Sequence, residues 1–337
     1  MQTLSEQSPP SAQSSGEIAA PGAGGSAEPA SGLALFAAAL LLLIVIGSLS
    51  QRYRPGPQGI ALTELVAILL PAVIFLELGL QSQSQPGHRR RAVLRFLRIT
   101  PVTRWLPVGL LGGLLLGGAA FYLMAVWLEP LLERLVPVPP SERAQLLRLL
   151  RPATGMRPLW QDLLCFAAVP AICEEVLFRG AILSTLGGPL GWRGGHSHSS
   201  DAGKDRRSAM MAVVLCALLF GIFHLSWSKI LPTTALGLGF GAAAVWGRSL
   251  WPAMAMHCAN NAMVVVLVRA GLDEPPSSVR ALLIESGGAL HPGPGLLWTA
   301  AGLGAGVLGY LLLRWSGRHP ASAHAPARMP SSLIEGS

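Results

Sequence analysis

Apolar residues in this chain come in eight blocks, and most of them are long enough to cross a lipid bilayer. A membrane-spanning helix needs roughly 20 predominantly apolar residues. The blocks cover residues 32–50, 59–80, 105–128, 159–184, 208–225, 229–247, 249–270 and 295–315. The pattern therefore predicts an all-α fold, a polytopic membrane helix bundle of about eight transmembrane helices. The fifth and sixth blocks are short and almost contiguous, which indicates a tight hairpin or a re-entrant segment.

Composition supports membrane insertion and excludes some partners. Hydrophobic residues make up 51% of the chain and charged residues only 12%, whereas soluble domains carry about a quarter charged residues. The net charge of +8 is spread over many loops and forms no basic stripe with interleaved aromatic residues. We therefore expect the bilayer, and no nucleic acid, as a partner. The four cysteines lie inside apolar blocks without a Cys-x-x-Cys pair, which indicates small apolar filler and no disulfide framework.

The polar stretches between and around the blocks divide the chain into five parts. The expected parts are a disordered tail (1–31), transmembrane helices with an amphipathic connector (32–158), a core of the fourth to seventh blocks (159–270), a loop with the last transmembrane helix (271–315), and a second disordered tail (316–337). Leucines alternate with several arginines over 129–158, a pattern typical of a helix at the membrane interface. Glycines four residues apart in the third, sixth and eighth blocks predict close helix packing.

The distribution of basic residues predicts the orientation. With the N-terminus inside, cytoplasmic segments collect 14 Lys and Arg residues and the other side collects 10. Basic residues favour the cytoplasmic side, so both termini are expected there. The Ala-, Gly- and Pro-rich composition with little Lys favours a bacterial source, and hence a multi-pass protein of the bacterial cytoplasmic (inner) membrane.

Three of the apolar blocks contain polar side chains. They are Glu174, Glu175 and Arg179 in the fourth block, His224 in the fifth, and His257 and Asn261 in the seventh. Because a charged group inside a membrane helix costs about 2.5–3.5 kcal/mol on insertion scales, each needs a structural or functional reason. Glu175 and Arg179 are four residues apart and can form an ion pair on one helix face. Glu174 projects about 100° away and is left as an unpaired carboxylate.

Other polar residues have simpler interpretations. Glu64 and Glu77 in the second block, and Asp162 at the start of the fourth, are expected to make interfacial or interhelical polar contacts. His196 and His198 are expected to be solvated loop residues.

The residues inside the membrane suit peptide hydrolysis. A glutamate and a histidine can hold and deprotonate water, while a second histidine and an asparagine can donate hydrogen bonds to a developing oxyanion. The same Glu/His/His set could instead bind zinc and leave one position open for water. The chain has neither His-Glu-x-x-His nor Gly-x-Ser-x-Gly, so a thermolysin-like site and a nucleophile elbow are not indicated.

Three motifs, taken together and in order, resemble a known family. Glu-Glu-x-x-x-Arg, Phe-x-x-x-His (Phe220 to His224) and His-x-x-x-Asn on successive membrane helices are similar to the CPBP family. That family includes type II CAAX-prenyl endopeptidases and the bacteriocin-processing or immunity proteins of the Abi group. The resemblance covers about residues 155–270. It implies an intramembrane endopeptidase of glutamate or metallo type.

The resemblance also implies roles for individual residues. Glu174 and His224 would bind and activate the water, and His257 and Asn261 would form the oxyanion site. Glu175 and Arg179 would organise the first motif, and Phe220 would be structural. No cofactor is expected; if zinc were bound, its ligands would be Glu174, His224 and His257.

Substrate and activity stay open at this point. Expected substrates are membrane-associated proteins or peptides with a terminal or membrane-embedded segment, such as peptide pheromones, bacteriocin precursors or surface proteins with a C-terminal sorting helix. Two alternatives belong to other classes. One is a non-catalytic bacteriocin-immunity or membrane partner protein, and the other is a proton-coupled transporter that uses Glu174 and the histidines as a relay.

Overall fold

A computed structural model of the protein describes residues 29–81, 105–151, 155, 157–186, 202–272, 281–286 and 288–318. Most of both expected tails, the arginine-rich loop that follows the second block, and the loop with His196 and His198 lie outside these residues.

Helices account for nearly all of the described structure. They are α1 (Pro29–Tyr53), α2 (57–81), α3 (Leu106–Leu135), α4 (Pro140–Leu150), α5 (159–186), α6 (Ala202–Phe223), α7 (Trp227–Gly247), α8 (Leu250–Ala270) and α9 (Pro294–Arg318). Three of them contain π-helical segments: Glu64–Leu69 in α2, Met124–Leu128 in α3, and Leu164–Ala168 and Val176–Ile182 in α5. An antiparallel hairpin of β1 (Leu283–Ser286) and β2 (Ala289–Pro292) precedes α9.

The all-α membrane bundle predicted from the sequence is confirmed, and each of the eight apolar blocks is helical. Six helices of the described chain are long and apolar enough to cross a membrane, namely α1, α2, α3, α7, α8 and α9. Helix α5 contains the charged residues of the fourth block, and the apolar part of α6 is the shorter stretch Ala209–Phe223. The number of membrane crossings therefore stays a prediction. The first and last helices, α1 and α9, each extend three residues into the expected tails, to Pro29 and Arg318.

The second half of helix α5 lies inside the bundle. All seven residues of its second π-helical segment, Val176–Ile182, are buried. Side chains of α1, α2, α6, α7 and α8 contribute to the same hydrophobic core. On the outside the bundle is apolar: Leu41, Leu78 and Leu303 are more than half exposed. A surface of this kind is stable only when lipid covers it, which agrees with a multi-pass membrane protein.

Glycines allow the backbone of α3 to approach the backbones of α8 and α9 closely, as the spacing of the glycines predicts. A β-carbon added at Gly113 would lie 2.4 Å from the carbonyl oxygen of Pro252, and one at Gly117 would lie 2.4 Å from that of Met256. A larger residue at either position would force the helices apart, because the obstacle is backbone.

The fifth and sixth blocks form a tight hairpin of α6 and α7. Helix α6 ends at Phe223, and Leu225 in the turn has φ of 52°, in the left-handed region. A non-glycine residue there is strained. The turn begins with His224, so it fixes where that imidazole lies.

The amphipathic connector docks onto the bundle. In α4, Leu147 and Leu150 pack against Val265 and Val268 of α8. The start of α5 is tied to the end of α8, because the buried Asp162 accepts hydrogen bonds from Arg157 and Arg269. The interhelical contact expected of Asp162 is therefore present.

Candidate active site

Glu174 and Glu175 lie between two π-helical segments of α5. The first, Leu164–Ala168, ends two residues before Pro170, which has no N–H to donate. The wider turn tolerates that missing hydrogen bond. Both carboxylates are held inside the bundle: Glu174 is 8% exposed and Glu175 is fully buried.

Arg179 neutralises Glu175, as the four-residue spacing predicts. Its Nη1 donates to Glu175 Oε1 at 2.9 Å, and its Nη2 donates to the carbonyl oxygen of Gly237 in α7, also at 2.9 Å. The guanidinium carbon lies 4.6 Å from the centre of the Phe220 ring and 5.3 Å from that of Phe240. Ion pairing and aromatic contacts of this kind hold an otherwise costly charge inside the bundle.

His257 connects the two glutamates. Its Nδ1 lies 3.0 Å from Glu175 Oε1, and its Nε2 lies 4.0 Å from Glu174 Oε2. Its ring stacks on Phe240 with centroids 4.5 Å apart and planes inclined by 14°. Because the Glu175 carboxylate can only accept a hydrogen bond, Nδ1 carries the hydrogen and Nε2 faces Glu174.

His224 is fixed through its own backbone turn. Its Nδ1 donates to the carbonyl oxygen of Phe220 at 2.9 Å, because a carbonyl oxygen can only accept. In a neutral imidazole, Nε2 is then the acceptor nitrogen. The ring of Phe220 lies between the two histidines, with centroids 5.0 Å from His224 and 5.8 Å from His257. The aromatic position of the second motif is therefore a spacer that both imidazoles contact.

Asn261 lies close to His257 in the sequence but, in the described structure, is not hydrogen-bonded to the other candidate residues of the site. It lies one turn after His257 on α8 and is half-buried, while its neighbour Asn260 is buried. Asn260 Nδ2 donates to Asn261 Oδ1 at 3.4 Å. Within the described chain, Asn261 forms no hydrogen bond with Glu174, His224 or His257.

Several polar atoms of this region have no hydrogen-bond partner in the described structure. They are the Oε2 atoms of Glu64, Glu174 and Glu175 and the Nε atom of Arg179. Such atoms are costly to bury and are typical of sites that bind a polar ligand. Glu64 was expected to make interfacial or interhelical polar contacts, but it is buried, and among the described residues it has no ion-pair partner. Glu77, on the same helix, is exposed.

A contact between Glu142 of α4 and the turn next to His224 was not predicted from the sequence. Its carboxylate accepts hydrogen bonds from Ser226 Oγ at 2.8 and 2.9 Å and from Ser228 Oγ at 3.1 Å. Lys229 Nζ lies 4.0 Å away. These hydrogen bonds therefore hold the turn that contains His224 against helix α4.

The geometry does not match a preformed metal site. Within the described residues, no group of three or more His, Cys, Asp or Glu side chains is arranged to hold a metal ion. Glu174, His224 and His257 do not form a ligand set in this arrangement, although the donor types would suit zinc.

Comparison with known proteins identifies the segment that contains the site. Residues 156–263, about a third of the chain, match the family model described as Type II CAAX prenyl endopeptidase Rce1-like. No curated protein and no solved structure matches the chain. The matched segment includes all three motifs and runs from the start of α5 to the middle of α8. Over residues 156–263 this membrane protein is thus similar to the type II CAAX prenyl endopeptidases, in agreement with the resemblance of its three motifs.

Proposed function

We propose that this protein is an intramembrane endopeptidase that hydrolyses a peptide bond with a water molecule held by Glu174 and His224. The observation that carries the proposal is the Glu174 carboxylate. It is buried in a membrane helix, its Oε2 has no hydrogen-bond partner in the described structure, and it faces His257 Nε2 at 4.0 Å. An unpaired carboxylate in such a place indicates function.

Two groups can accept hydrogen bonds from the water. Glu174 supplies a carboxylate oxygen, and His224 supplies Nε2, because its Nδ1–H is donated to Phe220. The glutamate takes one proton as the water oxygen bonds to the substrate carbonyl carbon. The C=O electron pair moves onto oxygen and forms a tetrahedral oxyanion.

His257 is proposed to stabilise the oxyanion, with Asn261 as a second donor. To donate through Nε2, His257 must carry hydrogen on both ring nitrogens. Glu175, at 3.0 Å from Nδ1, stabilises that imidazolium and fixes the ring, as the buried carboxylate of a catalytic triad does. When the C–N bond breaks, Glu174 returns its proton to the leaving nitrogen, and the products are a carboxylic acid and an amine.

The proposed substrate is a membrane-associated protein or peptide. The site lies among membrane-spanning helices, so the scissile bond must approach from within or close to the bilayer. The family description names CAAX prenyl endopeptidases, which makes a lipid-anchored C-terminus one substrate class to test. A peptide with an apolar helical anchor is the other.

Purified protein in liposomes tests this proposal directly. Two fluorogenic peptides are supplied, one with a C-terminal farnesyl-cysteine anchor and one with an apolar helical anchor. We expect cleavage of at least one of them by the unaltered protein. We expect a loss of at least about 100-fold in Glu174→Gln, because general base catalysis contributes 10²–10⁴-fold. In ¹⁸O-water, the new carboxyl group gains one ¹⁸O atom.

Two results would contradict the proposal. One is the absence of cleavage of both peptides, and the other is equal turnover by Glu174→Gln. Thermal melts of the variant accompany the assay, so that inactivity is not confused with unfolding.

A further inference from the structure

Glu64 is a buried carboxyl group that the proposed reaction does not use. It begins the π-helical segment of α2 and shares a helix face with Ala67 and Ile68, which are fully buried. The adjacent Leu62 and Leu65 are each 45% exposed and point outward. Glu64 therefore points into the bundle.

That inward face of α2 packs on the part of α5 that carries Glu174. The segment Glu64–Leu69 contacts Val169–Glu175, and Ala67 and Ile68 belong to the same core cluster as Cys173. Glu64 interacts electrostatically with both Cys173 and Glu174.

The charges of the region require a bound proton. Glu64, Glu174 and Glu175 are three buried carboxyl groups, and Arg179 is the one guanidinium that the described structure places among them. Arg179 compensates Glu175, and a protonated His257 can compensate Glu174, which leaves one carboxyl group of the three without a cation. A buried carboxylate without a cation is prohibitively costly, so that group keeps a proton. Glu174 has His257 at 4.0 Å, whereas Glu64 has no ion-pair partner among the described residues. The proton therefore belongs on Glu64.

We propose that Glu64 is a positioning residue for Glu174: its neutral carboxyl group donates a hydrogen bond to the Glu174 carboxylate, directly or through a water molecule. This rests on the function proposed above. A carboxylic acid has one O–H donor, and the facing carboxylate is its acceptor. The bond would hold one Glu174 oxygen and leave the other to accept the proton of the attacking water. The proton on Glu64 is not consumed, so the reaction stays balanced.

Two substitutions separate this role from simple packing. In Glu64→Gln, the amide keeps a donor of the same length, and kcat should stay within about threefold of the unaltered protein. In Glu64→Met, the side chain keeps its length but has no donor, and kcat should fall about 10- to 100-fold, as for loss of a hydrogen bond to a charged group. KM should hardly change, because Glu64 acts on Glu174 and not on the substrate. The control Glu77→Met, at an exposed site on the same helix, should leave kcat unchanged.

Thermal melts accompany the kinetics in the liposome assay with the two anchored peptides. Glu64→Met should melt no lower than the unaltered protein, because it buries an apolar group in place of a carboxyl group. Full activity of Glu64→Met would overturn the proposal, and so would a large loss of kcat in folded Glu64→Gln. The Gln variant tests the donor even if the Met variant does not fold. If the unaltered protein cleaves neither peptide, the proposed function fails; if it cleaves and Glu174→Gln does not, only the role of Glu64 is at issue.

Discussion

Replacing Arg179 with alanine should destabilise the bundle strongly. Arg179 is 1% exposed and donates to Glu175 and to the Gly237 carbonyl oxygen. Removing it leaves the Glu175 carboxylate with only His257 as a partner and leaves the Gly237 carbonyl without this donor. Breaking a buried pair in this way costs about 3–5 kcal/mol, because one charge is left uncompensated.

That loss is large enough to measure by thermal unfolding in detergent. A change of 1 kcal/mol lowers Tm by about 2–4 °C in chains of 150–250 residues, so Arg179→Ala should melt on the order of 10 °C lower. The protein supplies its own reporter, because Cys165, Cys173 and Cys216 are buried free thiols. A thiol-reactive fluorophore gains signal as they become exposed. The matched control is Arg148→Ala, at an exposed position of α4.

A double substitution separates stability from catalysis. Replacing both Glu175 and Arg179 with methionine removes the two charges together, and apolar replacements of a buried pair are often neutral or stabilising. The double variant should therefore recover much of the lost Tm. It should still cleave poorly, since His257 Nδ1 loses the carboxylate that fixes it. An Arg179→Ala protein that melts within about 2 °C of the unaltered protein would refute this reasoning.

Three further outcomes can be measured. Glu142→Ala should lower both Tm and kcat, because the hydroxyl groups of Ser226 and Ser228 lose a charged acceptor, and hydrogen bonds to charged groups contribute about 1.5–3 kcal/mol. The control is Glu133→Ala, at an exposed position. Equal Tm and kcat in the two variants would show that α4 does not position the turn. A topology reporter fused to the C-terminus should give a cytoplasmic signal, because basic residues favour the cytoplasmic side. With the N-terminus inside, a periplasmic signal would mean an odd number of crossings, with the miscounted helix expected in the 208–247 region. Elemental analysis of the active purified protein should find no stoichiometric zinc, and chelation should leave its activity unchanged. One equivalent of zinc, with activity lost to chelators and restored by zinc, would assign Glu174, His224 and His257 to a metal.

Local periodicity was enough to predict the helices and the pair of Glu175 and Arg179. Both depend on distances of one turn within a single segment, and the energetic cost of polar groups in an apolar block marks them clearly. The two π-helical segments of α5 were not predictable. A π-helical turn depends on how a helix packs and on where Pro170 removes a donor, and the hydrophobic pattern alone does not contain that information.

Long-range contacts explain the residues that the sequence could not assign. Glu142 looks like any charged residue of an amphipathic helix, and its contact with Ser226 depends on how α4 docks across α8. Glu64 looked like a polar residue that joins two helices, because its block resembled none of the family motifs. Glu64 lies on the side of α2 that packs on α5, whereas Glu77 is exposed near the end of the same helix. Since both are glutamates on one apolar helix, their different effects on cleavage would measure what packing, and not residue type, contributes to this site.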